Sequence, residues 1–150
     1  TSKRWPTDPL FYMSAPSMTD DTIAPDGHEN LFILIPIAPD LEDTEAIREH
    51  YFSRVLERIK MITGEDIQDR IVYKRSYCVK DFKADYHSFQ GNAYGLANTL
   101  RQTAFMKPKM KSRKLDNLYF TGQLTVPGPG IPPALISGQI VAREVMKNYA

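Results

Sequence analysis

The sequence predicts a mixed α/β chain. Three observations carry this: a long amphipathic helix in the first half, short apolar or alternating runs of strand character, and a glycine-rich segment joining a strand to a final helix. Its 150 residues are the size of one domain. Charge is nearly balanced, with 19 Lys and Arg against 18 Asp and Glu, which argues against a nucleic-acid binder. One cysteine and three scattered histidines give neither a disulfide framework nor the spacing of a zinc site, so no metal is expected. The longest apolar run, Leu31 to Ala38, contains a proline and is too short for a bilayer, which takes about 20 residues. No secretory signal is visible, and residue 1 is threonine, from which a processed or truncated N-terminus is expected.

The elements follow in order. Leu10 to Ser14, between Pro9 and Pro16, is expected as a short strand, because proline suits strand ends better than centres. Thr19-Asp20-Asp21 and Pro25-Asp26-Gly27 carry turn chemistry. Leu31 to Ile35 is continuously apolar and reads as a strand buried on both faces. A helix is expected from Asp43 to Ile62: Ile47, Tyr51, Val55 and Ile59 recur every four residues, and Phe52, Leu56 and Ile62 widen the stripe. Glu42, Asp43 and Glu45 suit its positive end, and Gly64 suits its cap.

From Arg70 to Val79 the pattern alternates, with Ile71, Tyr73, Tyr77 and Val79 on one face, which predicts a strand. Phe82, Tyr86 and Phe89 read as a helical turn running into a loop around Gly91 and Gly95. Between 101 and 114 lie six bases (Arg101, Lys107, Lys109, Lys111, Arg113, Lys114) and no acid. They read either as a patch for anionic lipid headgroups or as a solvated loop. The loop is favoured, since no amphipathic helix lies under the charges.

Leu118 to Thr121 is expected as a strand, followed by a bend through Pro133 and a helix from Ala134 to about Lys147. Ala134, Gly138 and Ala142 form a small-residue face that suggests close approach of another group. Gly122, Gly128, Gly130 and Gly138 are half of the chain's eight glycines. A strand, a glycine-rich loop and a helix start can hold an anion or an electron-rich ring; a purely structural loop is equally open. The spacing is neither a dinucleotide fingerprint nor a P-loop.

Asn117 through Pro132, Asn-Leu-Tyr-Phe-Thr-Gly-Gln-Leu-Thr-Val-Pro-Gly-Pro-Gly-Ile-Pro, resembles the C-terminal FAD-binding signature of the bacterial and fungal phytoene desaturase family of carotenoid desaturases, flavoenzymes of the amine-oxidase-like group. Gly91 to Leu96 with Gln102 and Pro108 resembles the block before that signature. Tyr12 through His28 resembles the pair of strands in the family's substrate domain. Many members have Thr-His-Pro where this chain has Thr125-Val126-Pro127, so the motif does not assign the carotene.

The resemblance implies the C-terminal part of a two-domain FAD-dependent amine-oxidase-like fold. Residues 1–90 would close the substrate domain, and 91–150 would supply the final strand–loop–helix of the Rossmann-like FAD domain. Family members begin with a Rossmann G-x-G-x-x-G, which this sequence lacks, so the remaining N-terminal part of the same enzyme is an expected partner. FAD is the expected cofactor, bordered by Gly122, Gln123, Thr125, Pro127, Gly128, Gly130, Ile131 and Pro132. Gly122 would lie on the ribityl-phosphate side and 128–132 under the ring, with N–H groups at the helix start facing its N1 edge. The reaction implied is dehydrogenation of a C–C single bond in a carotene, at a membrane surface, by a cytoplasmic, peripherally membrane-associated enzyme. The isolated 150 residues are expected to be inactive.

No catalytic residue is assigned. His28 and His50 read as surface residues, and His87 as a structural histidine. Cys78 reads as a small buried hydrophobe. Phe82, Tyr86, Phe89 and Tyr94 could pack in a core or line a polyene channel, and Phe89 and Tyr94 are the substrate-lining candidates. Two alternatives stand beside the desaturase: a carotenoid isomerase or retinol saturase-like flavoenzyme, and a non-catalytic binding module on the same scaffold.

Overall fold

A computed structural model describes residues 3–96, 99, 102 and 106–149. They fall into two compact units, Thr1–Asn92 and Ala93–Ala150.

In the first unit, β1 (Tyr12–Ser14) pairs antiparallel with β2 (Phe32–Leu34), with Met13 opposite Ile33. The connection turns where expected: the His28 amide donates to the Pro25 carbonyl at 2.9 Å. β2 is not buried on both faces. Leu31 and Phe32 are exposed on this two-stranded pair.

α1 spans Glu45–Thr63. Thr44, rather than the acids before it, caps it, accepting from the Ile47 amide at 3.3 Å. Gly64 ends it in a left-handed conformation, as its position predicts. Tyr51, Val55, Leu56 and Ile59 are its buried stripe, and Leu41 and Val79 complete the core. Ile62 is 72% exposed, so the stripe stops a turn earlier than the pattern suggests. The N-terminal segment lies along this helix. Trp5 stacks on Tyr51 with ring centroids 4.6 Å apart, and Arg58 pairs with Asp8 at 2.9 Å.

The alternating stretch after Arg70 is not a strand. Residues 71–78 carry no regular secondary structure: alternation only sets which way side chains point, a strand also needs a backbone partner, and none pairs here among the described residues. Side chains tie the segment to α1 instead. Arg48 Nη1 donates to Ser76 Oγ at 3.2 Å, Lys74 pairs with Glu49, and the Lys74 ammonium lies 4.4 Å from the Phe52 ring centre.

α2 covers Val79–Tyr86 and is capped by Cys78 and Asp81. Tyr77 and Phe82 meet edge to face, and Tyr86 leans on both. Gly91 then folds back so closely that a Cβ there would stand 2.5 Å from the Val79 carbonyl oxygen.

In the second unit, the strand expected at Leu118–Thr121 shrinks to one bridge, Lys111 to Tyr119. Its ladder stops because the next amide, that of Gly122, bonds to a side chain rather than to a strand. α3 runs from Ile131 to Tyr149 and so begins before both prolines. No described helix is long and apolar enough to cross a membrane.

Candidate functional site

The glycine-rich bend is fastened to α3 by a residue that sequence reasoning passed over. Ser137 is fully buried. Its Oγ donates to the Ala134 carbonyl at 2.6 Å, accepts the Gly122 amide at 2.7 Å and lies 3.1 Å from Thr121 Oγ1. A serine bonding back to its own helix leaves its lone pairs for a neighbour. The signal available was a polar residue inside the small-residue stretch that includes Gly138. Thr125, also buried, closes the first turn of the bend, its amide and Oγ1 both donating to the Gly122 carbonyl at 3.1 and 2.9 Å.

The eight expected cofactor-bordering residues sit on this bend. Gly122 has φ 102°, and a Cβ there would meet nothing within 4 Å among the described residues, so its open side is backbone. Gln123 is half-buried. With Leu124 it packs on Gly95, where a Cβ would lie 2.5 Å from Leu124 Cδ2; this brings Gly95 against the signature. Pro127 is exposed after a cis peptide bond. Gly128 is buried, with the Lys107 ammonium 3.0 Å from where a Cβ would stand. Gly130 opens α3, its carbonyl accepting the Ala134 amide at 3.0 Å. Ile131, at 79% exposure, and Pro132 project from the first turn.

Two expectations about α3 change. The helix starts at Ile131, not Ala134, so Pro132 and Pro133 occupy its first turn without N–H groups, and the Ala134 amide is already used by Gly130. The row of donors expected at the helix start is therefore reduced to the dipole and Ile131. Among the described residues the small-residue face, too, has no tight neighbour: a Cβ at Gly138 would meet Thr121 Oγ1 at 3.9 Å, and Ala142 is exposed.

The basic run divides. Arg101 lies outside the described residues. Lys107 is only 7% exposed and belongs to the bend, not to a surface patch. Lys111 covers the Tyr119 ring at 5.7 Å, whereas Lys109, Arg113 and Lys114 are exposed. Gln102 holds a buried Oε1 with no hydrogen-bond partner among the described residues.

The first unit holds a second polar cluster. Arg48 grips Asp43 with two bonds of 2.7 and 2.8 Å and reaches Asp81 at 2.7 Å. Those carboxylates also accept the Lys80 and Cys78 amides, each at 2.7 Å, so they cap α2. Hydrogen bonds from Arg48 hold the Asp43 carboxyl below its usual range, which unsuits it to be a general base. Cys78 is half-buried rather than buried and caps a helix; burial pushes its thiol up, away from reactive thiolate. His28, His50 and His87 are exposed, the last in a left-handed residue ending α2 rather than in a packed position. Phe89 and Tyr94 are 78% and 61% exposed, so neither is a core residue here. No described group of His, Cys, Asp and Glu could hold a metal.

The bend suits a flat, electron-rich ligand: open backbone at Gly122, a glycine against an ammonium at Gly128, and the positive end of a helix just beyond. No family model matches the chain. Over 146 residues it is 50% identical to a carotenoid 3,4-desaturase of Haloarcula japonica, covering 97% of this chain and 30% of that protein. It is 32% identical over 149 residues to a zeta-carotene-forming phytoene desaturase of Myxococcus xanthus, covering 95% of this chain and 28% of that one. It is also 34% identical to a 4,4'-diapophytoene desaturase of Staphylococcus aureus, covering 94% of this chain and 30% of that one. The chain thus spans about three-tenths of the length of the curated relatives it matches.

Proposed function

We propose that this chain, a homologue of the carotenoid and phytoene desaturases, is part of an FAD-dependent enzyme that dehydrogenates a C–C single bond of a carotene. The observation that carries the reading is the bend from Gly122 to Gly130, pinned by Ser137 and open on its backbone side, in a chain half identical to a carotenoid 3,4-desaturase. FAD, when bound, would accept hydride from an allylic C–H while a proton leaves the adjacent carbon. The residues of this chain bind and orient. Ser137 and Thr125 hold the shape of the bend, and Gly122 and Gly128 leave its surface without side chains. Ile131 and Pro132 present an apolar rim where the ring would lie.

On this reading the second unit is the closing portion of an amine-oxidase-like FAD domain and the first belongs to the substrate domain, completed by the N-terminal part of the same enzyme. The polyene dissolves in bilayers, so the enzyme would work peripherally at a membrane, with the exposed Lys109, Arg113 and Lys114 available to headgroups. The test is to purify the full-length protein, record its visible spectrum and incubate it with carotenes in liposomes. Flavin bands and a product with an added double bond are expected. A protein that stays colourless with added FAD, or one that only isomerises the polyene, would overturn the reading.

A further inference from the structure

Val72 to Tyr77 is a backbone edge without a backbone partner among the described residues. The segment takes no turn or bend. The residues at its two ends stand in extended conformation, Ile71 at φ −84° and ψ 109° and Cys78 at φ −143° and ψ −163°. All of Val72 to Tyr77 is exposed, and none of these amides donates to an acceptor among the described residues. Of their carbonyls, that of Ser76 accepts from Arg48 at 3.4 Å. No proline interrupts the run, so every amide can enter a ladder. Val72 and Tyr73 are 81% and 77% exposed, and they border an open cleft of about 260 Å³ walled by Phe52, Gln68, Ile71 and Lys74. Water satisfies exposed amides, but it does not favour apolar side chains left in it. A run that alternates with period 2 and offers unpaired amides beside an apolar cleft has the parts of a strand-accepting edge.

We propose that Val72–Tyr77 is a docking edge for a β-strand from the rest of a longer polypeptide, and that it becomes a strand when that partner pairs with it. The inference rests on the reading above for the existence of that polypeptide, since the chain covers only 30% of its Haloarcula japonica relative. Charge selects this occupant over a second copy. A copy pairing antiparallel about the middle of the segment would set Lys74 of one chain opposite Arg75 of the other, and like charges directly opposite are destabilising. Lys74 is already held by Glu49, whereas Arg75 is exposed and forms no ion pair among the described residues. The edge therefore suits a strand of different sequence, with an apolar residue opposite Tyr73 and a carboxylate opposite Arg75. Backbone bonds would supply the affinity, and an apolar side chain entering the cleft beside Val72 would fix the register.

The experiment measures residue-resolved amide hydrogen exchange on the full-length protein, with its mass in solution from light scattering. In the monomer, every second amide of Val72–Tyr77 is expected to exchange about 100-fold more slowly than in a free peptide. A photo-crosslinking p-benzoylphenylalanine in place of Tyr73 is expected to capture, within the same molecule, a peptide outside these 150 residues. Arg75→Glu, which sets like charge against the expected carboxylate, should speed exchange of the segment about threefold, and Arg75→Lys should stay near wild type. Exchange at the free-peptide rate throughout the segment would overturn the proposal. So would protection that vanishes on dilution from dimer to monomer, which would assign the edge to a second copy. A cross-link confined to these 150 residues would overturn it too, by placing the partner inside the chain. Equal exchange in Arg75→Glu and Arg75→Lys would overturn the carboxylate. Flavin content is read on the same samples: a colourless protein with a protected segment sinks the flavoprotein reading and leaves the strand pairing standing.

Discussion

Ser137 Oγ and the Gly122 amide are 2.7 Å apart across the bend, and this one bond fixes a glycine-rich loop to the helix that follows it. Ser137 is removed from bulk water, with no exposed surface, and Gly122 is half-buried. Ser137→Ala leaves the Gly122 donor unsatisfied and should lower stability by about 1–3 kcal/mol. Thermal melts of the full-length protein check the magnitude. The same variant should release FAD more readily, read as a faster loss of flavin absorbance on dilution and filtration.

Gly122→Ala separates the loop's shape from its surface. The added methyl meets nothing within 4 Å among the described residues, so the cost to folding is the strained positive φ, about 1–2 kcal/mol. The methyl nevertheless projects into the space a ligand would use. FAD retention is therefore expected to fall by more than the loss of stability accounts for. Equal losses in titrations of both quantities would mean that the open side faces solvent.

Gly91→Ala tests the first unit. With φ at 66° and a Cβ 2.5 Å from the Val79 carbonyl, the substitution strains the backbone and pushes on the start of α2. Destabilisation of about 2–4 kcal/mol is expected in urea titrations. Gly64→Ala, where a Cβ would meet nothing, should cost less, about 1 kcal/mol.

Asp43 sets an acid limit. Its folded carboxyl is held below the ordinary value of 3.8, first by hydrogen bonds from Arg48. The unfolded chain therefore takes up this proton before the folded one does. The stabilisation is complete above that ordinary value and is lost as pH falls through it to the folded value. Asp43→Asn should flatten the acid limb of a stability-against-pH curve. Arg48→Met strands two carboxylates, one of them buried, and should cost about 3 kcal/mol or more at neutral pH. Denaturant midpoints from pH 3 to 7 test both.

Periodicity revealed α1 because its stripe reflects burial that the structure provides: Tyr51, Val55 and Ile59 are inside. It failed at 71–78, where alternation was read as a strand and no partner backbone pairs with it among the described residues. Composition located the bend but not its fastening. Ser137 looks like any helical serine until its position opposite Gly122 is known. Likewise Lys107 was counted among surface bases, because sequence shows charge but not depth, and only the fold sets it beside Gly128. The Arg48 cluster joins residues 33 positions apart, which no local pattern encodes.

Pro132 and Pro133 bear on what the end of α3 can recognise. A tetrahedral oxyanion such as sulfate needs several hydrogens converging on it, and this terminus has surrendered most of them. What survives is an electric field without a clasp, felt within about one turn of the helix end. Such an end discriminates poorly among small ions, and leaves shape rather than converging hydrogen bonds to decide what could lie against it.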